Sequence, residues 1–171
     1  MKWYEKYLSV YGKPYADVPA EVMDGIRNRL RTLQSDEPLV SVVVIAYNEE
    51  KHLPACLWSL SESVCEYPME IIGVNNDSAD RTADVFEASG IPYHTELQHS
   101  CGYARRCGLQ YAQGKYYICI DSDTMYPPGY VQAMADALQR PGIVAVSSLW
   151  SYMPDEGHPW LGLKIYEFMR D

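Results

Sequence analysis

From Leu39 to Ala46 the chain is apolar and largely β-branched, the pattern of a strand buried on both faces. Tyr47-Asn48 then reads as a turn, and Glu49-Glu50 opens a helix with acidic residues at its positive end. Leu53, Leu57 and Leu60 mark the buried face of that helix, and Pro54 is tolerated because it falls in the first turn. The unit repeats. Met69 to Asn75 predicts a strand, Asn75 to Ser78 a polar loop, and the residues to about Ala88 a helix closed by Gly90. Ile91 to Leu97 predicts a short strand, and Ala104, Cys107, Gly108 and Tyr111 the face of a further helix stopped by Gly114. Tyr116 to Ile120 predicts a strand ending on Asp121. Pro127-Pro128 opens a helix carrying Val131, Met134 and Leu138, and Pro141-Gly142 turns into a strand from Ile143 to Leu149. Strands alternating with helices of this length predict an α/β fold, a layered and mostly parallel sheet flanked by helices.

Both ends depart from this rhythm. Residues 1–38 read as a helical arm, with Trp3, Tyr4, Tyr7, Leu8 and Tyr11 at helical spacing. A second helix follows from Pro19 to about Leu33, its apolar face formed by Val22, Ile26, Leu30 and Leu33. Packing of the aromatic stripe against the domain's own flank is preferred over a docking surface for a partner or membrane. Residues 39–149 form the α/β domain. Residues 150–171 read as a loop and an amphipathic helix from Trp160 to Arg170, and the pattern reaches Asp171 in mid-helix. The expectation is the N-terminal part of a longer protein.

Composition narrows the function. The 171 residues are enough for one core without staples, with 47% hydrophobic and 22% charged residues. A net charge of −9 argues against nucleic acid, whose backbone demands clustered Lys and Arg. It leaves room for a phosphate-bearing small molecule met through a divalent cation. The five cysteines show no metal or disulfide spacing and read as free thiols. No apolar run reaches the roughly 18 to 20 residues of a membrane span, and the polar start is not that of a signal peptide. The expected location is cytoplasmic, with membrane association left to a longer parent.

In parallel sheets ligands bind beyond the carboxyl ends of the strands. The loops after the three strongest strands hold Tyr47, Asn48 and Glu49; Asn75, Asn76, Asp77 and Asp80; and Asp121, Ser122 and Asp123. In extended chain Asp121 and Asp123 face one side, where two unpaired carboxylates repel. Mg²⁺ or Mn²⁺ removes that conflict and completes its shell with phosphate and water. Capping of the next turn is the competing explanation of the triplet. Asp77 or Ser78 accounts for a helix cap, whereas Asn75 and Asn76 carry amides able to read a base. Arg105 and Arg106 open the fourth helix and suit a nucleotide or its diphosphate.

Val42 to Glu50, the Asn75–Thr82 loop, Gly102-Tyr103-Ala104-Arg105-Arg106-Cys107-Gly108, and Ala112-Gln113-Gly114-Lys115-Tyr116 leading to Asp121-Ser122-Asp123 together resemble the family 2 glycosyltransferases. The resemblance runs from about Leu39 to Leu138 and keeps the order and spacing of the motifs. It implies a GT-A, Rossmann-like fold and transfer of a sugar from a nucleotide-diphosphate donor, a UDP-sugar favoured, to a glycan or lipid-linked hydroxyl, with inversion. It implies that Tyr47, with Ala46 and Asn48 beside it, lies against the nucleobase, that Asn76 stands at the base edge, and that Glu49 and Asp77 belong to the nucleotide-sugar-binding set. Asn76 stands where an acidic residue is common. Arg105 and Ser122 would flank the nucleotide, Asp121 would approach the ribose or metal, and Asp123 would hold Mn²⁺ or Mg²⁺. Arg106 stands where asparagine is more usual.

Such a transfer needs a base to deprotonate the acceptor. Asp155, Glu156 and His158 read as solvated or helix-capping residues of a loop rather than as that base. The alternative reading is a non-catalytic nucleotide-sugar-binding module or partner subunit. A nucleotidyltransferase is disfavoured, because no Gly-rich phosphate loop with a basic residue follows the first strand.

Overall fold

The computed structural model describes residues 2–153 together with Leu163, Lys164 and Glu167. Asp155, Glu156 and His158 lie outside the described residues, as does nearly all of the helix expected from Trp160 to Arg170.

Four parallel strands form the sheet: β1 (Val40–Ala46), β2 (Met69–Asn75), β3 (Tyr93–Thr95) and β4 (Tyr116–Asp121), in the order β3-β2-β1-β4. The β1 strand is central, and its alternate side chains enter two different cores. Val42, Val44 and Ala46 pack under α1 (Ala20–Leu33), α2 (Leu53–Ser61) and α3 (Thr82–Ser89). Val43 and Ile45 pack with Ile72, Val74, Ala104 and Cys107 under α4 (Cys101–Tyr111). Burial on both faces is why β1 reads as an unbroken apolar run. Each fully buried aliphatic side chain contributes about 1.5–3 kcal/mol. A fifth helix, α5 (Tyr130–Leu138), packs beside β4.

The connection order sets the site. From β1 the chain winds through α2 and α3 out to β3, then returns over α4 to place β4 on the other side of β1. The strand order therefore reverses between β1 and β4. At that point the loops beyond the carboxyl ends diverge and leave a crevice.

Three expectations are corrected. The arm forms a 3₁₀ helix at Glu5–Ser9 and a 3₁₀ turn at Tyr15–Asp17, not an α-helix. Gly12, at φ 76°, and Pro14 cut the segment short, and runs too short for an α-helix favour i→i+3 bonds such as Tyr7 N–H to Tyr4 O at 3.0 Å. The third strand keeps only Tyr93–Thr95, because it pairs with only the last three residues of β2. Residues 143–149, expected as a strand, form no ladder; Val144 is 94% and Leu149 75% exposed. They run past β4 and α5, where Tyr130 Oη lies 3.3 Å from Ser148 Oγ, and an apolar run makes no strand without a backbone partner.

The arm packs against the domain. Tyr7 and Val10 are buried in the same core as the sheet, and the Tyr7 ring meets Trp58 edge-on at 5.6 Å.

Candidate functional site: a cleft at the switch point

The first loop turns sharply at Asn48, whose φ of 54° is left-handed, a region Asn tolerates better than most residues. That turn is held from the side by the loop after β2. Asn48 Oδ1 accepts from Ala79 N–H at 2.8 Å, and Asn48 N–H donates to Ser78 Oγ at 2.9 Å. Glu49 N–H donates to Thr82 Oγ1 at 2.8 Å, and Glu50 N–H to Asp80 Oδ2 at 3.0 Å. Asp80 Oδ1 in turn accepts from Thr82 N–H at 2.9 Å. Much of the polar content of the Asn75–Thr82 loop is thus engaged in fixing the first loop.

Tyr47 stands on this support, 52% exposed, with His99 edge-on to its ring at 5.3 Å. His99 Nε2 pairs with Asp77 Oδ2 at 3.2 Å. Asp77, itself left-handed at φ 54°, therefore stands behind the imidazole that braces Tyr47.

Asn76 is 4% exposed and its amide is heavily committed. Nδ2 donates to the carbonyls of Glu96 at 2.9 Å and Gln98 at 2.8 Å, while Oδ1 accepts from Ser100 N–H at 3.0 Å. With both amide hydrogens engaged, one lone pair on Oδ1 remains for a ligand. The donor half of the amide, which the sequence made available for reading a base, is used up within the protein.

The fourth strand delivers the acidic triplet. Asp121 is its last residue, and Ser122 and Asp123 lie in a turn, so the two carboxylates reach the cleft through that turn and not along extended chain. Ser122 is buried at 3%, whereas Asp121 and Asp123 are exposed. The strand end is clasped by Tyr126, whose hydroxyl accepts from Asp121 N–H and donates to Asp121 C=O, both at 3.1 Å. Burial holds that phenol far above its ordinary pKa, so it stays a donor. Asp123 Oδ1 accepts from Thr124 Oγ1 at 3.1 Å. Arg105 lies 3.4 Å from Asp121 Oδ1, a half-exposed pair of modest strength.

Between these loops lies a cleft of about 290 Å³. It is lined by Ala46, Tyr47, Glu49, Asn76, Arg105, Asp121, Ser122 and Asp123, all singled out from the sequence, and by Ile45, Cys101 and Ala104, which were not. Asn48 and Asp77 do not line it and act from behind; Arg106 is exposed and also stands outside the lining. His99 and Tyr126 escaped the sequence reading, and only the strand-end position of the loops hinted at His99. Glu49 sits between opposing influences: burial raises its carboxyl pKa, His52 lowers it, and Asp123 and Asp80 raise it further, for a net rise. No three His, Cys, Asp or Glu side chains converge as a metal cage among the described residues. Two exposed carboxylates stand at an open cleft, and hard oxygen groups of this kind fit Mg²⁺ or Mn²⁺ together with phosphates.

Parallel sheet, reversal at β1 and β4, and acidic strand end define a sheet of the GT-A type. Residues 41–171 match the model of "Glycosyl transferase family 2", and the chain belongs to that family. It is similar to the "Putative glycosyltransferase EpsH" of Bacillus subtilis, 34% identical over 105 residues, covering 58% of this chain and 30% of that protein. It is also similar to the "Validoxylamine A glucosyltransferase" of Streptomyces hygroscopicus subsp. limoneus, 28% identical over 143 residues, covering 78% and 32%. The chain thus spans about a third of the length of these relatives.

Two solved structures share the fold. One is the mannosyltransferase PcManGT from Pyrobaculum calidifontis in complex with GDP-Man and Mn²⁺, with TM-score 0.56, 19% identity, and 72% of this chain and 41% of that one covered. The other is glucosyl-3-phosphoglycerate synthase from Mycobacterium tuberculosis with Mn²⁺, UDP and glucosyl-3-phosphoglycerate, with TM-score 0.53, 23% identity, and 68% and 43% covered. No helix among the described residues is long and apolar enough to cross a membrane.

Proposed function

We propose that this chain is the donor-binding part of a metal-dependent glycosyltransferase that takes a nucleotide-diphosphate sugar, with a UDP-sugar favoured. One observation carries the reading. The cleft at the β1/β4 reversal brings together a braced, half-exposed aromatic from the loop after β1, an arginine from α4 and two exposed carboxylates from the end of β4 and the turn after it.

Tyr47 offers its face to the nucleobase, with His99 and Asp77 fixing its ring from behind and Asn48 fixing the turn. Ala46, Glu49 and the free lone pair of Asn76 Oδ1 border the base and ribose side. Arg105 turns from Asp121 toward the diphosphate, and Ser122 sets the spacing of the two aspartates. Asp123, with Asp121, holds Mn²⁺ or Mg²⁺. When bound, the ion supplies positive charge against the diphosphate.

In the reaction the acceptor oxygen, from a glycan or lipid-linked hydroxyl, bonds to the anomeric carbon as the carbon–oxygen bond to the diphosphate breaks. The acceptor proton passes to a base, and the nucleoside diphosphate leaves with the electron pair. Attack from the opposite face gives inversion.

A thermal-shift panel of UDP, GDP, CDP and dTDP, each with and without Mn²⁺, tests the reading. Ligands that bind only the folded state raise its melting temperature. UDP with Mn²⁺ is expected to give the largest rise, and Tyr47→Ala to reduce it. Equal melting temperatures across the whole panel would refute donor binding.

A further inference from the structure

The N-terminal arm precedes the family-matched region, yet it touches the acidic loop directly. Tyr11 Oη donates to the main-chain carbonyl of Asp123 at 3.1 Å. The Tyr11 ring lies on the His52 imidazole at 4.8 Å between centroids, tilted 44°. His52 Nδ1–H donates to Glu49 Oε2 at 2.7 Å, and Glu49 lines the same cleft as Asp123. Gly12 N–H bonds Lys51 O at 2.9 Å, so the main chain beside Tyr11 is fixed as well. One residue of the arm thus bridges two loops that both line the cleft.

We propose that Tyr11 is a positioning residue for the metal-holding loop, tying the Asp123 peptide to the Glu49–His52 turn before the donor arrives; this rests on Asp123 holding the metal. Asp123 lies in an exposed turn, where a carboxylate held at a fixed spacing binds a cation without first losing loop freedom. Thr124 orients the side chain and Tyr11 the peptide. The 3₁₀ helix that precedes Tyr11 is anchored separately, where Lys6 and the Tyr7 hydroxyl, at 2.9 Å for the latter, bond Glu62.

The test compares Tyr11→Phe with Tyr7→Phe, each losing one arm hydroxyl. Free Mn²⁺ is followed by electron paramagnetic resonance in the presence of UDP, alongside melting temperature and metal-free UDP affinity. Tyr11→Phe is expected to raise the Mn²⁺ midpoint about three- to tenfold, the scale of one lost hydrogen bond, with metal-free UDP affinity unchanged. Tyr7→Phe is expected to leave the midpoint where it is. An unchanged midpoint in Tyr11→Phe, or an equal rise in both variants, overturns the positioning role while leaving the metal assignment intact. Absence of Mn²⁺ binding by the wild-type chain, or full binding by Asp123→Ala, overturns the metal assignment and the positioning role with it.

Discussion

At Gly108 the α4 helix lies so close to β1 that a Cβ would stand 2.3 Å from Val43 Cγ1 and 3.3 Å from the Tyr117 hydroxyl. Gly108→Ala is therefore expected to destabilise the fold by about 1–3 kcal/mol, as overpacking does, measured by urea unfolding. The same helix carries Arg105 into the cleft, so the close approach fixes a cleft-lining side chain as well as a packing layer. Gly114 has a comparable reason. A Cβ there would meet Ser41 N at 2.7 Å, a main-chain clash that explains the glycine better than the helix stop read from its position. Side-chain commitments were the least legible feature of the sequence. Asn76 and Asp80 have the types expected of ligand-binding residues, yet they bond Glu96, Gln98, Ser100, Glu50 and Thr82. Residue type reports what an amide or carboxylate can bond, and the folded chain decides which partner it finds.

Among the elements, the strands were legible because periodicity reports burial directly. β1, β2 and β4 fall where the apolar runs stand, and α1 starts one residue after Pro19. The 143–149 segment shows the limit, since its pattern encodes a capacity to pair and nothing local encodes a partner. The arm shows another, since its aromatic spacing is compatible with both helix types and Gly12 and Pro14 decide between them. Its anchor at Glu62 has a pH signature. Burial alone would raise the Glu62 carboxyl, but hydrogen bonds from Lys6 and Tyr7 outweigh it and hold the pKa below its ordinary 4.5. A depressed carboxyl contributes stability above its unfolded pKa and loses it as pH falls through the folded one. The stability difference between wild type and Glu62→Gln is thus expected at neutral pH and to shrink below pH 4.5, followed by denaturant unfolding across the acid range. A difference constant with pH would dissociate the anchor from the ionised carboxylate.

For the whole molecule, the strand order β3-β2-β1-β4 turns a distributed set of polar residues into one cleft. The alternation of strands and helices gave the parallel sheet from the sequence, and the strand-end rule gave the edge on which to look. The motif order carried the family. The bracing by Tyr126, His99 and Tyr11 was not legible, because each joins residues whose proximity arises only from tertiary packing. The central claim is that Asp123 carries metal-assisted binding of a nucleoside diphosphate at this cleft. Calorimetric titration of UDP with and without Mn²⁺, on the wild-type chain and on Asp123→Ala, tests it most directly. Mn²⁺ is expected to tighten UDP binding to the wild type about tenfold or more, the scale of one charge-assisted contact, and to give Asp123→Ala no such gain. An equal Mn²⁺-dependent gain in Asp123→Ala, or UDP binding indifferent to the metal in the wild type, would contradict the account.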